Sequence, residues 1–235
     1  MAGGDGTQAL VASIAAEHGL PFLVISAGTR NHFALDLGST GTIPQRAWTR
    51  SPTARNCRSG IIADRTFVDN ASFGVYAEVV RSPAYRDDKR GTIVQTLPDL
   101  LTGHRGARLT ARAAGTRIEG PQALLVSNDP YEMSDIAGLG RRARLDAGPL
   151  GVVAVRVDSA RQAIGLLRCG HGQGLTTLTD GEVTVQADTL EIPVGIDGET
   201  VMLPTSVRCP IRPRALRVVV PMERPGVPAP KAALE

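Results

Sequence analysis

Two glycine-bearing loops, each placed just before a helical pattern, constrain the fold of this chain more than any other feature. Residues 3–7 read Gly-Gly-Asp-Gly-Thr and lead into residues 7–18, where apolar side chains recur at helical spacing until Gly19. Residues 22–25 are a short apolar run, and a second glycine loop at 28–31 follows it and opens a short helix over 31–37. Alternating helices and strands of this kind predict an α/β sheet with both loops at one crevice. The apolar residues of the first helix are Leu10, Val11, Ile14 and Ala15.

The first loop has the composition that phosphate binding requires. Its glycines let a ligand approach the backbone, and its N–H groups would point outward at a helix N-terminus. Asp5 within this loop would meet a phosphate only through a cation. The alternative is a plain turn before a helix, since short glycine motifs are common. The second loop, with Gly28, Thr29 and Asn31, favours the phosphate interpretation because it repeats the same chemistry.

After residue 44 the pattern changes to short β-rich runs separated by turn residues, which predicts an antiparallel sandwich or barrel. Helices are expected at 83–101 and 159–168, the stretch 47–60 is predicted to be loop, and the proline-rich tail 222–235 is predicted to be disordered. The strands are predicted at 66–68, 109–113, 123–127, 150–157, 183–187 and 216–220.

Composition excludes several classes of protein. The chain is 42% hydrophobic and 21% charged, as in ordinary globular proteins, and its net charge of +3 comes from scattered arginines, which argues against nucleic-acid binding. Three distant cysteines lack the close pairs of zinc or redox motifs and indicate reduced thiols. No apolar run approaches the roughly 20 residues that span a bilayer. We therefore expect a cytoplasmic protein that contacts the inner face of a membrane at most peripherally.

Further motifs join the two loops in a recognisable order. Residues 67–74 read Phe-Val-Asp-Asn-Ala-Ser-Phe-Gly, residues 145–150 read Leu-Asp-Ala-Gly-Pro-Leu, and residues 196–199 read Ile-Asp-Gly-Glu. With Gly-Gly-Asp-Gly-Thr and the Gly-Thr-x-Asn-x-Phe-Ala loop, this set resembles the diacylglycerol kinase catalytic domain family, which includes bacterial lipid kinases and sphingosine kinases. The resemblance covers residues 2 to 221.

The resemblance implies a fold, a reaction and two cofactors. The fold would be an α/β nucleotide-binding lobe, truncated at its N-terminus, plus a β-sandwich-like second lobe. The first lobe would comprise residues 1–46 with a return near 207–221, and the lipid-site lobe residues 47–206. The reaction would be transfer of the γ-phosphate of ATP to a lipid hydroxyl such as that of diacylglycerol, with Mg²⁺ between the lobes.

The family's site residues map onto this sequence motif by motif. By resemblance, Asp5 and Asp146 would serve the magnesium ion, Asp197 would be the general base, and Glu199 would orient the site. Without the family, Asp146 and Asp197 read as turn residues next to glycine. Residues 180–182 repeat Asp-Gly-Glu and are predicted to be a plain turn, because they fall before the family position. The predicted nucleotide-binding residues are Gly3, Gly4, Asp5, Gly6, Thr7, Gly28, Thr29 and Asn31.

Two departures from the family leave alternatives open. His32 stands where the family commonly has an aspartate, and the first loop begins at residue 3, without the βα units that precede it in the family. We therefore expect the opening strands to be missing. A non-catalytic nucleotide-binding remnant is one alternative, and NAD kinase, which shares the first loop, is another.

The expected partners are a lipid substrate and a membrane surface, with a homodimer among the open options. A local cluster of Arg141, Arg142 and Arg144 is expected to form a solvated loop, with contact to lipid headgroups as the alternative.

Overall fold

Two β-sheets packed face to face form most of the chain. The structure is a computed structural model that describes residues 2–28, 31–37, 53–77, 101, 106–132, 142, 145, 148–169 and 171–220. One sheet has the order β5 (Arg65–Phe67), β4 (Thr53–Ile62), β15 (Val207–Val220), β12 (Glu182–Ala187), β7 (Leu109–Ala113) and β8 (Thr116–Glu119), with β2 (Pro21–Leu23) also paired to β15. The other has the order β11 (Leu175–Asp180), β10 (Leu150–Val155), β9 (Ala123–Ser127), β6 (Asn70–Gly74), β13 (Glu191–Ile196) and β14 (Glu199–Pro204).

The core between the two sheets follows from alternation along the strands. In β7 the side chains of Leu109, Ala111 and Ala113 are buried while Arg112 is exposed, because successive residues point to opposite faces. Phe67 from one sheet and Phe73 from the other are fully buried in this core. The helix α3, whose residue range is Ala160–Cys169, covers part of the second sheet's outer face through Ala163 and Leu166.

A second core lies at one end of the sandwich and contains the N-terminal elements. These are β1 (Ala2–Gly3), α1 (Asp5–Glu17), β3 (Ile25–Ser26) and α2 (His32–Asp36). Strand β15 belongs to both the sandwich and this end layer. Its residues 207–210 pair with β12, and its residues 217–219 run parallel to β2. Buried side chains from α1, α2, β2, β4 and β15 form this core. The long strand therefore fixes the position of the glycine loops against the sandwich.

The predicted first helix is present as α1, and it packs mainly through small side chains, with Leu10 and Ile14 of the predicted apolar set exposed. Its buried apolar residues are Ala9, Ala12 and Ala15, whereas Leu10 is 62% exposed and Ile14 is 49% exposed. Alanines let the helix axis approach its neighbours closely, which the larger side chains would prevent. The predicted end at Gly19 is confirmed, because Gly19 has a positive φ and the Leu20 N–H bonds to the Ala15 carbonyl at 2.8 Å.

The sandwich architecture and most predicted strands are present. The strands predicted at 109–113 and 123–127 match β7 and β9, and the helix predicted at 159–168 matches α3. The loop predicted over 47–60 is wrong in its second half, because residues 53–62 form β4, a strand between β15 and β5. Leu101 is the single described residue of the predicted helix 83–101, and the tail 222–235 lies outside the described residues.

The described part of the chain is mostly β-sheet with few helices, and its N-terminal helices and short strands form a small layer at one end of the sandwich. Within the part of the chain that is described, no helix combines the length and apolar character needed to cross a membrane.

Candidate active site

The first glycine loop lies at the start of α1. Gly3 ends β1, Gly4 occupies the N-cap position, and no side chain among the described residues caps the helix. The first intrahelical bond joins the Gln8 N–H to the Gly4 carbonyl at 2.9 Å. The preceding N–H groups of the first turn have no acceptor within the helix, and they lie at the positive end of its dipole. This end of α1 can therefore hold an anion such as a phosphate.

The second glycine loop touches the first along the backbone. A Cβ atom on Gly28 would lie 2.6 Å from the Gly4 nitrogen, so only glycine fits at this approach. Asn31 closes the second loop, because its Oδ1 accepts the Gly28 N–H at 3.1 Å and its Nδ2 donates to the Gly28 carbonyl at 2.5 Å. Thr29 lies outside the described residues. The two loops are thus in contact at Gly4 and Gly28, and the crevice predicted for them stays a prediction.

Asp5 connects the two loops by its side chain. Its carboxylate oxygens accept the backbone N–H groups of His32 at 3.1 Å and Phe33 at 3.2 Å, so Asp5 caps α2 from another segment of the chain. The side chain is buried, and burial and the nearby Asp69 raise its pKa to about 6, although the two N–H donors and Arg142 act in the opposite direction.

This arrangement gives Asp5 a structural task beside the magnesium role expected of it, and that role stays a prediction. Each oxygen accepts one N–H group and keeps a lone pair, with which it could accept a bond from a water molecule on Mg²⁺. The other predicted ligand, Asp146, lies outside the described residues. Across those that are described, no group of three or more His, Cys, Asp or Glu side chains is arranged to hold a metal ion.

Asp197 lies in the tight turn between β13 and β14, with a positive φ of 46°. Its carboxylate accepts three backbone N–H groups, from Val68 at 2.9 Å, Asp69 at 2.8 Å and Asn70 at 3.0 Å. Burial and the charge of Asp69 raise its pKa to about 8, even though the three donors lower it. Asp197 is therefore a fixed, buried carboxyl group whose charge depends on pH near neutrality.

Glu199 brings the same turn into contact with the first glycine loop. The Glu199 side chain is exposed, and its Oε1 lies 3.3 Å from the position that a Cβ atom on Gly6 would take. The Asp197 carbonyl oxygen lies 3.8 Å from that position. Residues more than 190 positions apart in the sequence therefore meet at the N-terminus of α1, with a carboxylate next to the loop that would hold phosphates.

Arg142 is buried, contrary to the solvated loop predicted for its cluster. Its side chain is 0% exposed and forms an ion pair with Asp36 at 2.7 Å. It also lies 3.1 Å from Asp69, whose carboxylate accepts a bond of 2.9 Å from the Tyr131 hydroxyl.

The sequence analysis did not identify this group of residues as neighbours of the candidate site: Arg142, Asp36, Asp69 and Tyr131. Asp69 lies inside a motif that the family resemblance singled out, but no local pattern marks the others. Arg141 and Arg144 lie outside the described residues.

Comparisons with known proteins find a profile match and solved structures of similar fold. Residues 1–57 match the profile of the diacylglycerol kinase catalytic domain. The fold is similar to the crystal structure of a diacylglycerol kinase from Bacillus anthracis str. Sterne, with a TM-score of 0.68 at 18% identity, over 93% of this chain and 76% of that chain. A yeast NADH kinase in complex with NADH is more distant, with a TM-score of 0.52 at 10% identity, over 96% of this chain and 61% of that one. No curated protein sequence matches.

The profile match and the shared fold confirm the resemblance to the diacylglycerol kinase catalytic domain family. Kinases of this family use ATP and typically a divalent metal ion. At identities below a fifth, the structural neighbours contribute the fold and not the substrate.

Proposed function

We propose that the protein is an ATP-dependent lipid kinase that transfers the γ-phosphate to a lipid hydroxyl such as that of diacylglycerol. The observation that carries the proposal is the contact between the turn at residues 197–199 and Gly6 in the first glycine loop. A phosphoryl transfer site needs an anion-binding loop and a proton acceptor within reach of one another. That contact places the backbone of Asp197 next to the loop, which supports a proton acceptor close to the phosphates.

In this proposal the phosphates lie at the N-terminus of α1. The backbone N–H groups of the first turn and the positive end of the helix dipole neutralise part of their charge. The second loop lines the same pocket, with Asn31 keeping its shape through the two bonds to Gly28. The residues proposed for nucleotide binding are Gly3, Gly4, Gly6, Thr7, Gly28, Thr29 and Asn31. Asp5 is proposed to hold α2 in place and, by resemblance to the family, to serve the magnesium ion together with Asp146.

Asp197 is proposed as the general base. A base works best when its pKa lies near the operating pH, and a value of about 8 satisfies that condition. The proton of the lipid hydroxyl passes to the Asp197 carboxylate as the hydroxyl oxygen forms a bond to the γ-phosphorus. The bond from that phosphorus to the bridging oxygen breaks, and ADP leaves with those electrons. Glu199, whose side chain extends from the same turn to Gly6, is proposed to orient the reacting groups.

The choice of a lipid acceptor rests on the family resemblance and not on a described pocket. Contact with a membrane surface follows from that choice, because a diacylglycerol stays in the bilayer. We propose no nucleic-acid partner, since the basic residues are scattered along the sequence. A homodimer stays an open expectation.

Incubation with labelled ATP, Mg²⁺ and a panel of acceptors tests the proposal. The panel should contain diacylglycerol and sphingosine in mixed micelles, together with NAD⁺ and NADH, because of the fold shared with the yeast NADH kinase. We expect label in a lipid product, and roughly 10²–10⁴-fold less of it when Asp197 is replaced by asparagine. Label only in the dinucleotides would overturn the lipid assignment while retaining a kinase.

A non-catalytic nucleotide-binding protein is the second candidate. It is favoured by the bonds that occupy the Asp5 carboxylate and by His32, which takes the position of a common family aspartate. This candidate predicts that ATP binds with no transfer to any acceptor in the panel. It also predicts that Asp197→Asn leaves ATP binding unchanged. The unchanged protein would have no kinase activity for this substitution to remove.

A further inference from the structure

A buried arginine joins the N-terminal layer to the sandwich. The Arg142 Nε donates to the Asp36 carboxylate at 2.7 Å, and its Nη1 donates to the carbonyls of Val68 and Asn128, each at 2.8 Å. Its Nη2 lies 3.1 Å from an Asp69 carboxylate oxygen, an ion-pair contact without hydrogen-bond geometry. Asp36 belongs to α2, Val68 and Asp69 to the turn between β5 and β6, and Asn128 follows β9.

Burying this cation would be costly without such partners. A guanidinium group removed from water loses several kcal/mol of hydration, which only well-placed acceptors recover. The two carboxylates and the backbone carbonyls supply those acceptors, so the group stays charged in the interior. The planar fork of an arginine can reach acceptors on several segments at once, whereas a lysine presents a single point charge.

The peptide groups that hold Arg142 also hold Asp197, on their opposite sides. One peptide group gives its Val68 carbonyl to Arg142 at 2.8 Å and its Asp69 N–H to the Asp197 carboxylate at 2.8 Å. The next gives its Asp69 carbonyl to Arg142 at 3.3 Å and its Asn70 N–H to Asp197 at 3.0 Å. A cation at the oxygen and an anion at the N–H polarise a peptide group in the same sense, so each bond strengthens the other.

We propose that Arg142 is a positioning residue for Asp197, acting through the peptide groups at 68–69 and 69–70, and that its ion pair with Asp36 links this position to the helix that follows the second glycine loop. The inference rests on the proposed function in that Asp197 is taken as the base. Arg142 itself is buried and does not touch the reacting groups. Its contribution is to keep the turn in one position and, through it, the carboxylate.

The Tyr131 side chain completes the environment of the turn. Its hydroxyl donates to the Asp69 carboxylate at 2.9 Å and accepts a bond from the Asn70 side chain at 3.0 Å. The Arg142 guanidinium carbon lies 5.8 Å from the centre of the Tyr131 ring, within cation–π range. Tyr131 therefore contacts both the turn and Arg142.

Replacement of Arg142 by lysine and by methionine tests the inference, with Arg208→Lys and Arg208→Met as matched controls. Arg208 forms an exposed ion pair with Glu182, so it is an arginine with a carboxylate partner but no contact with the turn. We expect kcat per folded molecule to fall by roughly 10-fold or more in both Arg142 variants, with the KM for ATP changed by less than about 3-fold. The lysine variant should keep more activity than the methionine variant. The two Arg208 variants should have the same kcat per folded molecule and the same KM for ATP as the unchanged protein.

A second readout does not depend on catalysis. The amide proton resonances of Asp69 and Asn70 report their bonds to Asp197 and should shift upfield in Asp197→Asn. We expect the same direction of shift in Arg142→Lys, and none in Arg208→Lys. If Arg142→Met does not fold, Asp36→Asn replaces it, since that change weakens the link to α2 while leaving Arg142 in place.

The outcomes separate the two proposals. Shifted amide resonances in a protein without lipid kinase activity would refute the proposed function and keep the structural link. Unchanged resonances, or a kcat per folded molecule equal to that of the unchanged protein, would refute the positioning role even if the chain is an active kinase.

Discussion

The triplet Asp-Gly-Glu occurs twice in this chain, and the two copies have opposite environments. Residues 180–182 connect β11 to β12 at the surface, and the chain passes there from one sheet to the other. Residues 197–199 connect β13 to β14 within one sheet, beside the first glycine loop. The same three residue types therefore form a sheet-to-sheet connection in one place and part of the candidate active site in the other.

Hydrogen bonding alone does not distinguish the two aspartates. The Asp180 carboxylate accepts backbone N–H groups from Ala114 and Gly181, each at 2.6 Å, and these bonds lower its pKa. Asp197 accepts three such bonds, yet its pKa is raised to about 8 because it is buried and faces Asp69. Burial and a neighbouring charge outweigh the donors at Asp197, and solvent leaves the donors dominant at Asp180. A triplet in a sequence thus predicts a turn, while its surroundings determine its chemistry.

The largest expected difference between the two copies concerns catalysis. Asp197→Asn keeps the size of the side chain but removes the proton acceptor, so lipid phosphorylation should fall by roughly 10²–10⁴-fold. Asp180→Asn should leave the rate unchanged within about 2-fold, since Asp180 lies outside the site. Steady-state turnover of purified variants with saturating lipid measures both.

Thermal unfolding and ATP binding serve as controls for that experiment, because a lost fold would mimic lost chemistry. Both variants should bind ATP with nearly unchanged affinity. If Asp180→Asn were the crippling change, the assignment of roles to the two turns would be reversed.

Features set by local sequence were predictable. The glycine loops, the end of α1 at Gly19, the strands at 109–113 and 123–127, and helix α3 all follow from spacing and turn residues within a few positions. The interpretation of residues 180–182 as a connection between strands is of this kind too. Such patterns depend on backbone geometry and the side-chain period, which the sequence contains directly.

Features set by distant contacts were not predictable in the same way. Arg142 reads as part of a basic cluster, and its burial is favourable because of distant partners, among them Asp36, 106 positions away, and Asp69, 73 positions away. The bonds from the Asp5 carboxylate to the N–H groups of α2, 27 and 28 positions away, could not be predicted either, because no local pattern marks them. Leu10 reads as core because helical spacing identifies an apolar stripe but not the face that a small-residue contact will bury.

The second difference between the copies is the direction in which each aspartate links stability to pH. The pKa of Asp197 is about 8 in the folded state and about 3.9 in the unfolded state, so between these values the folded state binds more protons. The free energy of unfolding should therefore fall as pH rises from about 4 to about 8, by an amount on the order of a few kcal/mol. Asp180 has a lowered pKa, and its contribution is lost only as pH falls below about 3.9.

Denaturant unfolding at about pH 5 and about pH 8 measures this linkage. Asp197→Asn should remove most of the fall in stability that the unchanged protein shows, and Asp180→Asn should remove none of it. Asp5, with a pKa of about 6, contributes in the same direction and accounts for the part that persists in Asp197→Asn. Equal pH dependence in all three proteins would show that Asp197 is ionised throughout this range.

The glycines of the two turns should differ in stability by a smaller amount. Gly198 has a φ of 90°, a conformation that other residues rarely adopt, whereas a Cβ on Gly181 would meet no described atom within 4 Å. Gly198→Ala should cost about 1–3 kcal/mol. Gly181→Ala should be neutral or stabilise by up to about 1 kcal/mol, because it restricts the unfolded chain. Urea unfolding of the two variants checks the contrast, and equal effects would mean that the turn at 197–199 is not held in its strained form.

The smallest expected difference concerns the two glutamates and the binding of ATP without a metal ion. The Glu199 carboxylate lies beside Gly6, where it competes with phosphates for the positive end of α1. Glu199→Gln removes that negative charge, so ATP affinity in the presence of a chelator should rise by about 2–5-fold, the effect of one partly screened charge near a helix terminus. Glu182 instead pairs with Arg208 at the surface, at 2.8 Å, and Glu182→Gln should leave ATP affinity unchanged.

Isothermal titration at low and at high salt measures the ATP affinity of both variants. The gain in affinity from Glu199→Gln should shrink at high salt because the repulsion is screened. Weaker ATP binding in Glu199→Gln would mean that this carboxylate contacts the nucleotide as a hydrogen-bond acceptor, and the phosphates would then have to lie elsewhere than against Gly6.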